Sequence, residues 1–159
     1  AKIITCIIYI VLANTILMVC NVAGGFIIQQ IFDISMTISL TQALLGTLCI
    51  ILTSIWNIPL CLWLVKKVGV FATLILNVGM SFILGTLGAS TRLWFVCPYS
   101  WVTRLMVPTL GILPNGEPVT RNALSTPLPL IIMTVCLSLV LFYVISKLTV
   151  KSFIKQEVL

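Results

Sequence analysis

Histidine is absent from this chain of 159 residues, and only three carboxylates and nine cations are spread along it. No imidazole is there to move a proton near neutral pH or to complete a Cys/His zinc site. The six cysteines include no C-x-x-C pair, so neither a metal site nor a disulfide framework is read from them. Cys6, Cys20, Cys49, Cys61 and Cys136 lie in apolar runs and read as small packing residues; only Cys97 falls in a connecting segment. No G-x-x-x-x-G-K-[ST] loop occurs, which excludes that way of binding ATP. Paired carboxylates and a nucleophile beside a base are also missing, so an enzyme is poorly supported. Charged residues make up 8% and hydrophobic ones 60%, and the mean hydropathy is +1.25. A soluble domain with so few charges could not cover its own surface. The chain reads as an integral membrane protein.

Four hydrophobic runs are long enough to span, at residues 3–28, 38–65, 68–88 and 128–146. No Asp, Glu, Lys or Arg falls inside them. One charge at mid-bilayer would cost about 3 kcal/mol on insertion scales, so their absence fits four spans. The expected fold is an all-α polytopic membrane protein, a single transmembrane domain over 1–159. Its proline-broken outer segment, 89–127, precedes the last span, and a tail at 147–159 follows it. Lys2 leads at once into a hydrophobic run, and further residues are expected before Ala1. Without a carboxylate in a span to carry protons or sodium, transport would need energy from another chain.

The net charge of +6 does not point to nucleic acid, because the basic residues form no dense patch with stacking aromatics. In a four-span topology Lys2, Lys66, Lys67, Lys147, Lys151 and Lys155 all fall on one side. Asp33, Glu117, Arg92, Arg104 and Arg121 fall on the other. Lysine-rich ends face the cytoplasm, so both ends of the chain are expected inside and segment 89–127 outside. Lys66, Lys67, Lys147, Lys151 and Lys155 are the candidate cytoplasmic contacts, to anionic lipid or to a partner.

Polar residues in the spans mark candidate packing or pathway positions. Gly69, Thr73, Asn77, Ser81 and Gly85 recur every four residues, a stripe suited either to close helix packing or to a seam with a second subunit. Asn14, Asn21 and Gly25 share a face of the first span. In the second span, Asn57 and Pro59 follow Thr53 and Ser54. Pro59 has no N–H to give the carbonyl of Ile55, so a kink is expected near 55–59, either as a tolerated bend or as a hinge.

The outer segment carries Trp94, Phe95, Tyr99 and Trp101, an aromatic group suited to the headgroup layer. A short helix is expected at 99–107, opened near Pro98 and stopped before Pro108. Arg104 within it can snorkel to phosphates. Pro114-Asn115-Gly116 signals a turn. Trp94, Phe95, Tyr99, Trp101 and Arg104 form either an interfacial anchor or a contact surface for an amphipathic ligand.

Cys97-Pro98-Tyr99-Ser100-Trp101, then Arg104-Leu105-Met106, Pro108, Leu110-Gly111-Ile112 and Pro114-Asn115-Gly116, resembles the permease subunits of lantibiotic-immunity ABC transporters, which are of the ABC-2 type. The resemblance implies six spans with both ends cytoplasmic in a bacterial plasma membrane, and this chain would supply the last four. It also implies a second related permease and ABC ATPase subunits that bind ATP and Mg, with no cofactor in this chain. The implied cargo is an amphipathic antimicrobial peptide, removed from the membrane to give self-immunity or resistance. An ABC-2 permease exporting another peptide or a lipid, and a non-transporting membrane subunit, are the alternatives.

Overall fold

A computed structural model describes residues 2–32, 39–92, 94–111 and 127–157. Asp33, Glu117, Arg121 and the turn expected at 114–116 lie outside the described residues. All regular structure among the described residues is helical, in the order α1 (Lys2–Phe32), α2 (Leu40–Ser54), α3 (Asn57–Val68), α4 (Val70–Ser90), α5 (Pro98–Leu110) and α6 (Leu128–Glu157). A single 3-10 turn, Trp94–Val96, sits between α4 and α5. Three stretches are long and apolar enough to cross a bilayer: Ile3–Ile28, Val70–Ser90 and Leu128–Ile154. The pair α2 and α3, bent by 40°, makes a fourth if it counts as one span.

Local chemistry sets the element boundaries. Ser39 opens α2 with a reciprocal cap, its hydroxyl accepting from the Gln42 N–H while the Gln42 side chain accepts from the Ser39 N–H. The helix stops at Ser54 because Pro59 has no N–H for Ile55; the Ile58 N–H takes its place at 3.3 Å, a tighter turn that bends the chain. The kink therefore lies where the proline requires it. At the far end of α3, Gly69 turns the chain in a single residue with φ 84° and ψ 170°, a conformation open essentially to glycine alone. Lys66 and Lys67 sit in the last turn of α3, where cations suit the helix dipole. Gly69 thus belongs to the turn, and the stripe expected in α4 begins at Thr73.

One expectation needs correcting. Pro108 does not stop α5, which runs through it to Leu110 and ends on Gly111 in the left-handed conformation. The missing N–H affects only the last turn, where the Gly111 N–H bonds the Val107 carbonyl and the Thr109 hydroxyl bonds that of Leu105. Helix α6 continues past its uncharged run to Glu157, so Lys147, Lys151 and Lys155, spaced four apart, lie on one helix as their spacing predicts. Beyond Pro127 and Pro129 at its start no proline or glycine follows in α6, and its later turns are held by α3.

Helix α6 runs parallel to the bent pair and ties both halves of it. The Ser138 hydroxyl donates to the Leu52 carbonyl at 2.7 Å, and the Thr149 hydroxyl donates to the Pro59 carbonyl at 3.0 Å. Below these, the Lys66 ammonium donates to the Ser152 hydroxyl at 2.9 Å and to its carbonyl. Ser138 and Thr149 are both fully buried. Apolar side chains cannot give helices in lipid the drive they have in water, so such polar ties and close packing carry the association. The outward faces are apolar: Phe71, Ile75 and Phe82 of α4 are all exposed, as lipid-facing residues should be.

Candidate functional site

Residues 94–111, between α4 and α6, pack into the bundle. Helix α5 packs between α2 and α4. Its first turn meets Trp56, at the break between α2 and α3, and its last residue, Leu110, meets Gly46 midway along α2. It thus runs antiparallel to α2, starting at the depth of the break. Glycine makes the approach possible on both flanks. A Cβ on Gly88 would stand 3.2 Å from Ser100 Cβ, and one on Gly46 would stand 2.9 Å from the Leu110 side chain. Gly85 faces the Tyr99 carbonyl and the Thr103 hydroxyl.

The entry to α5 is knotted by its own side chains. Ser100, fully buried, donates to the Trp94 carbonyl at 2.6 Å. The Trp101 indole donates to the Phe95 carbonyl at 2.9 Å. The Tyr99 hydroxyl reaches down α4 to donate to Asn77 at 3.1 Å, and its ring meets Trp56 edge-on at 5.0 Å. Arg104 donates to the Ala89 carbonyl at 3.2 Å, at the C-terminal end of α4, with its guanidinium 5.6 Å over the Trp94 ring. Its charge thus faces the negative end of the α4 dipole and an aromatic face. Burial lowers the Arg104 pKa, yet a guanidinium stays charged at any pH a cell meets.

These contacts sort the candidate residues. Trp94 is 6% exposed and Trp101 1%, forming with Trp56 the buried core of the bundle. Both face inward, into the packing between the helices. Phe95, 39% exposed, is the aromatic residue of that group open to the surroundings. Among the stripe residues, Thr73 and Gly85 are buried, Asn77 is held by Tyr99, and Ser81 opens onto a cavity. Asn77, Ser81 and Gly85 face α5 within the chain.

That cavity, about 200 Å³, lies where α5 covers the break, lined by Ser54, Asn57, Ser81, Tyr99 and Thr103 with Trp56 and Pro98. Its polar groups are hydroxyls, an amide and an indole, with no ionisable carboxylate or ammonium. The buried Trp56 Nε1 has no hydrogen-bond partner. On the other side of Ser54 and Asn57 a second cavity of about 370 Å³ takes in Asn14 of α1. Asn21 and Gly25 line a third, with Gly46 and Leu110. The amides of α1 therefore face α2 and α3, Asn21 bonding its own Leu17 carbonyl as well.

At the opposite end Lys66 is engaged with Ser152 and lies over the Phe153 ring, Lys67 lies over Trp63, and Lys147 lies over Tyr143. Lys151 is exposed, and Lys155 lies in α6 outside the described side chains. Among the described residues no group of acidic, Cys or His side chains is arranged to hold a metal.

Sequence reading missed two features. Trp56 is one, although its place beside Asn57 and Pro59 was visible. The other is the hydroxyl face of α6, Thr134, Ser138 and Thr149, whose spacing at whole helical turns is legible once sought. Comparisons with protein-family models, curated proteins and solved structures gave no match for this chain.

Proposed function

We propose that this chain is a membrane-spanning permease subunit of an ABC-2 type transporter that expels a lantibiotic from the bacterial plasma membrane. One observation carries the reading: the proline-broken segment enters the bundle as a short helix, covering an uncharged polar cavity at a bent span. Such an arrangement suits a moving part that meets an amphipathic peptide near the outer leaflet. The resemblance of residues 97–116 to lantibiotic-immunity permeases supports the same assignment. In it α1, the bent pair α2–α3, α4 and α6 make four spans, with the lysine end cytoplasmic. A second related permease and ATPase subunits complete the complex, and ATP with Mg acts in those partners.

Exposed Phe95 and the mouth of the cavity are the peptide-contact candidates, with Tyr99 between them and Asn77. Trp94, Trp101 and Arg104 act by holding α5. The burial of the two tryptophans also favours a second reading, a non-transporting membrane subunit in which α5 is a structural plug; export of a different peptide or a lipid is a third. Cells challenged with lantibiotic decide among them. Those lacking the chain are expected to lose survival, and a tagged chain is expected to copurify an ATPase. Equal survival overturns the immunity role, and an ATPase-free preparation overturns the transporter.

A further inference from the structure

A groove of about 870 Å³ runs between the start of α1 and the C-terminal half of α6, at the lysine end of the bundle. Ile4 and Ile8 form one wall, and Phe142 and Ile154 belong to the other. Lys147 and Lys151, one turn apart, stand on the α6 wall just after its uncharged run. From Phe142 to Lys151 is nine residues, about 13 Å along the helix.

Two observations say what fits there. The lining is almost wholly carbon, so the occupant is apolar over most of its length. Lys147 and Lys151 border it with exposed side chains, the Lys147 ammonium 4.7 Å from the Tyr143 ring. A molecule with an acyl chain and an anionic head complements both, its chain on the carbon lining and its head on the two ammonium groups.

We propose that the α1–α6 groove is a binding site for an anionic phospholipid, its acyl chain along Ile8 and Phe142 and its phosphate on Lys147 and Lys151. The site requires only that the chain lies in a membrane, and it holds whether or not the chain transports a peptide.

The test is lipid retention by the purified full chain, extracted from vesicles of equal phosphatidylglycerol and phosphatidylcholine and read by native mass spectrometry. Two lysines at a membrane edge lead us to expect about a thirtyfold preference for phosphatidylglycerol. The double variant Lys147→Gln, Lys151→Gln should abolish the preference while keeping its helical circular dichroism; both side chains are exposed, so folding does not depend on their packing. Ile8→Trp, which fills the groove, should lower retention of both lipids with the lysines intact. Lys67→Gln, on the same end but outside the groove, should change nothing. The proposal is overturned by equal retention of the two lipids, by a preference that survives the double variant, or by an equal loss in Lys67→Gln. It is overturned too if Tyr143→Cys cross-links chain to chain in place of retaining lipid.

Discussion

Trp101 and Phe95 look alike in the sequence, two aromatic residues of one segment, yet the structure divides their roles. With its indole N–H bonded and its ring 1% exposed, Trp101 is part of the packing that keeps α5 in the bundle. Truncating it to alanine leaves a cavity, at a cost of about 3–5 kcal/mol. Trp101→Ala should therefore lower the unfolding midpoint in detergent and depress any function together with stability. Phe95→Ala should leave stability within about 0.5 kcal/mol, and a loss of peptide protection there would report contact directly. If Phe95→Ala and Trp101→Ala unfold alike, the division is wrong. Arg104 shows the same lesson, since a cation expected at the lipid surface is occupied at the end of α4.

Helix α6 acts as a strap across the broken span. Its Ser138 bond lies above the break and its Thr149 bond below, so any change in the 40° bend must stretch one of them. Polar ties between helices in membranes average about 0.6 kcal/mol each. Ser138→Ala with Thr149→Ala should thus cost roughly 1 kcal/mol and broaden the spin-label distance between α2 and α3. An unchanged distribution would mean that packing alone sets the bend. Helix α5 depends instead on glycine. Leucine at Gly88 would drive a side chain into buried Ser100, an overpacking that costs about 1–3 kcal/mol. Gly88→Leu should free α5 and expose Cys97, half-buried in the intact bundle, to thiol reagents. Protection of Cys97 in that variant would count against the wedge.

At the scale of the whole molecule, the lysines gather at one end and α5 sits towards the other. This polarity makes the orientation testable in cells. In a cysteine-free background, an impermeant maleimide applied from outside should label Phe95→Cys and miss Lys67→Cys, because lysine-rich ends are retained in the cytoplasm. The reverse pattern would invert the bundle and overturn the proposed contact of α5 with a peptide at the outer leaflet.

Hydropathy and local chemistry determined membrane class, the long apolar runs and the bend at Pro59, because lipid excludes unpaired backbone groups and proline withholds a donor wherever it stands. The short helix after Pro98 was legible for the same local reason. Its end was not, since a proline in a last turn displaces so little that the left-handed Gly111 governs instead. Partners distant in the chain were decided only by tertiary structure. The ring of Trp56 meets Tyr99, the hydroxyls of α6 meet carbonyls 86 and 90 residues away, and the lysines of α6 come to flank Ile8. Periodicity gives a helix its faces, but in a chain apolar on nearly every side it does not say which face meets which helix.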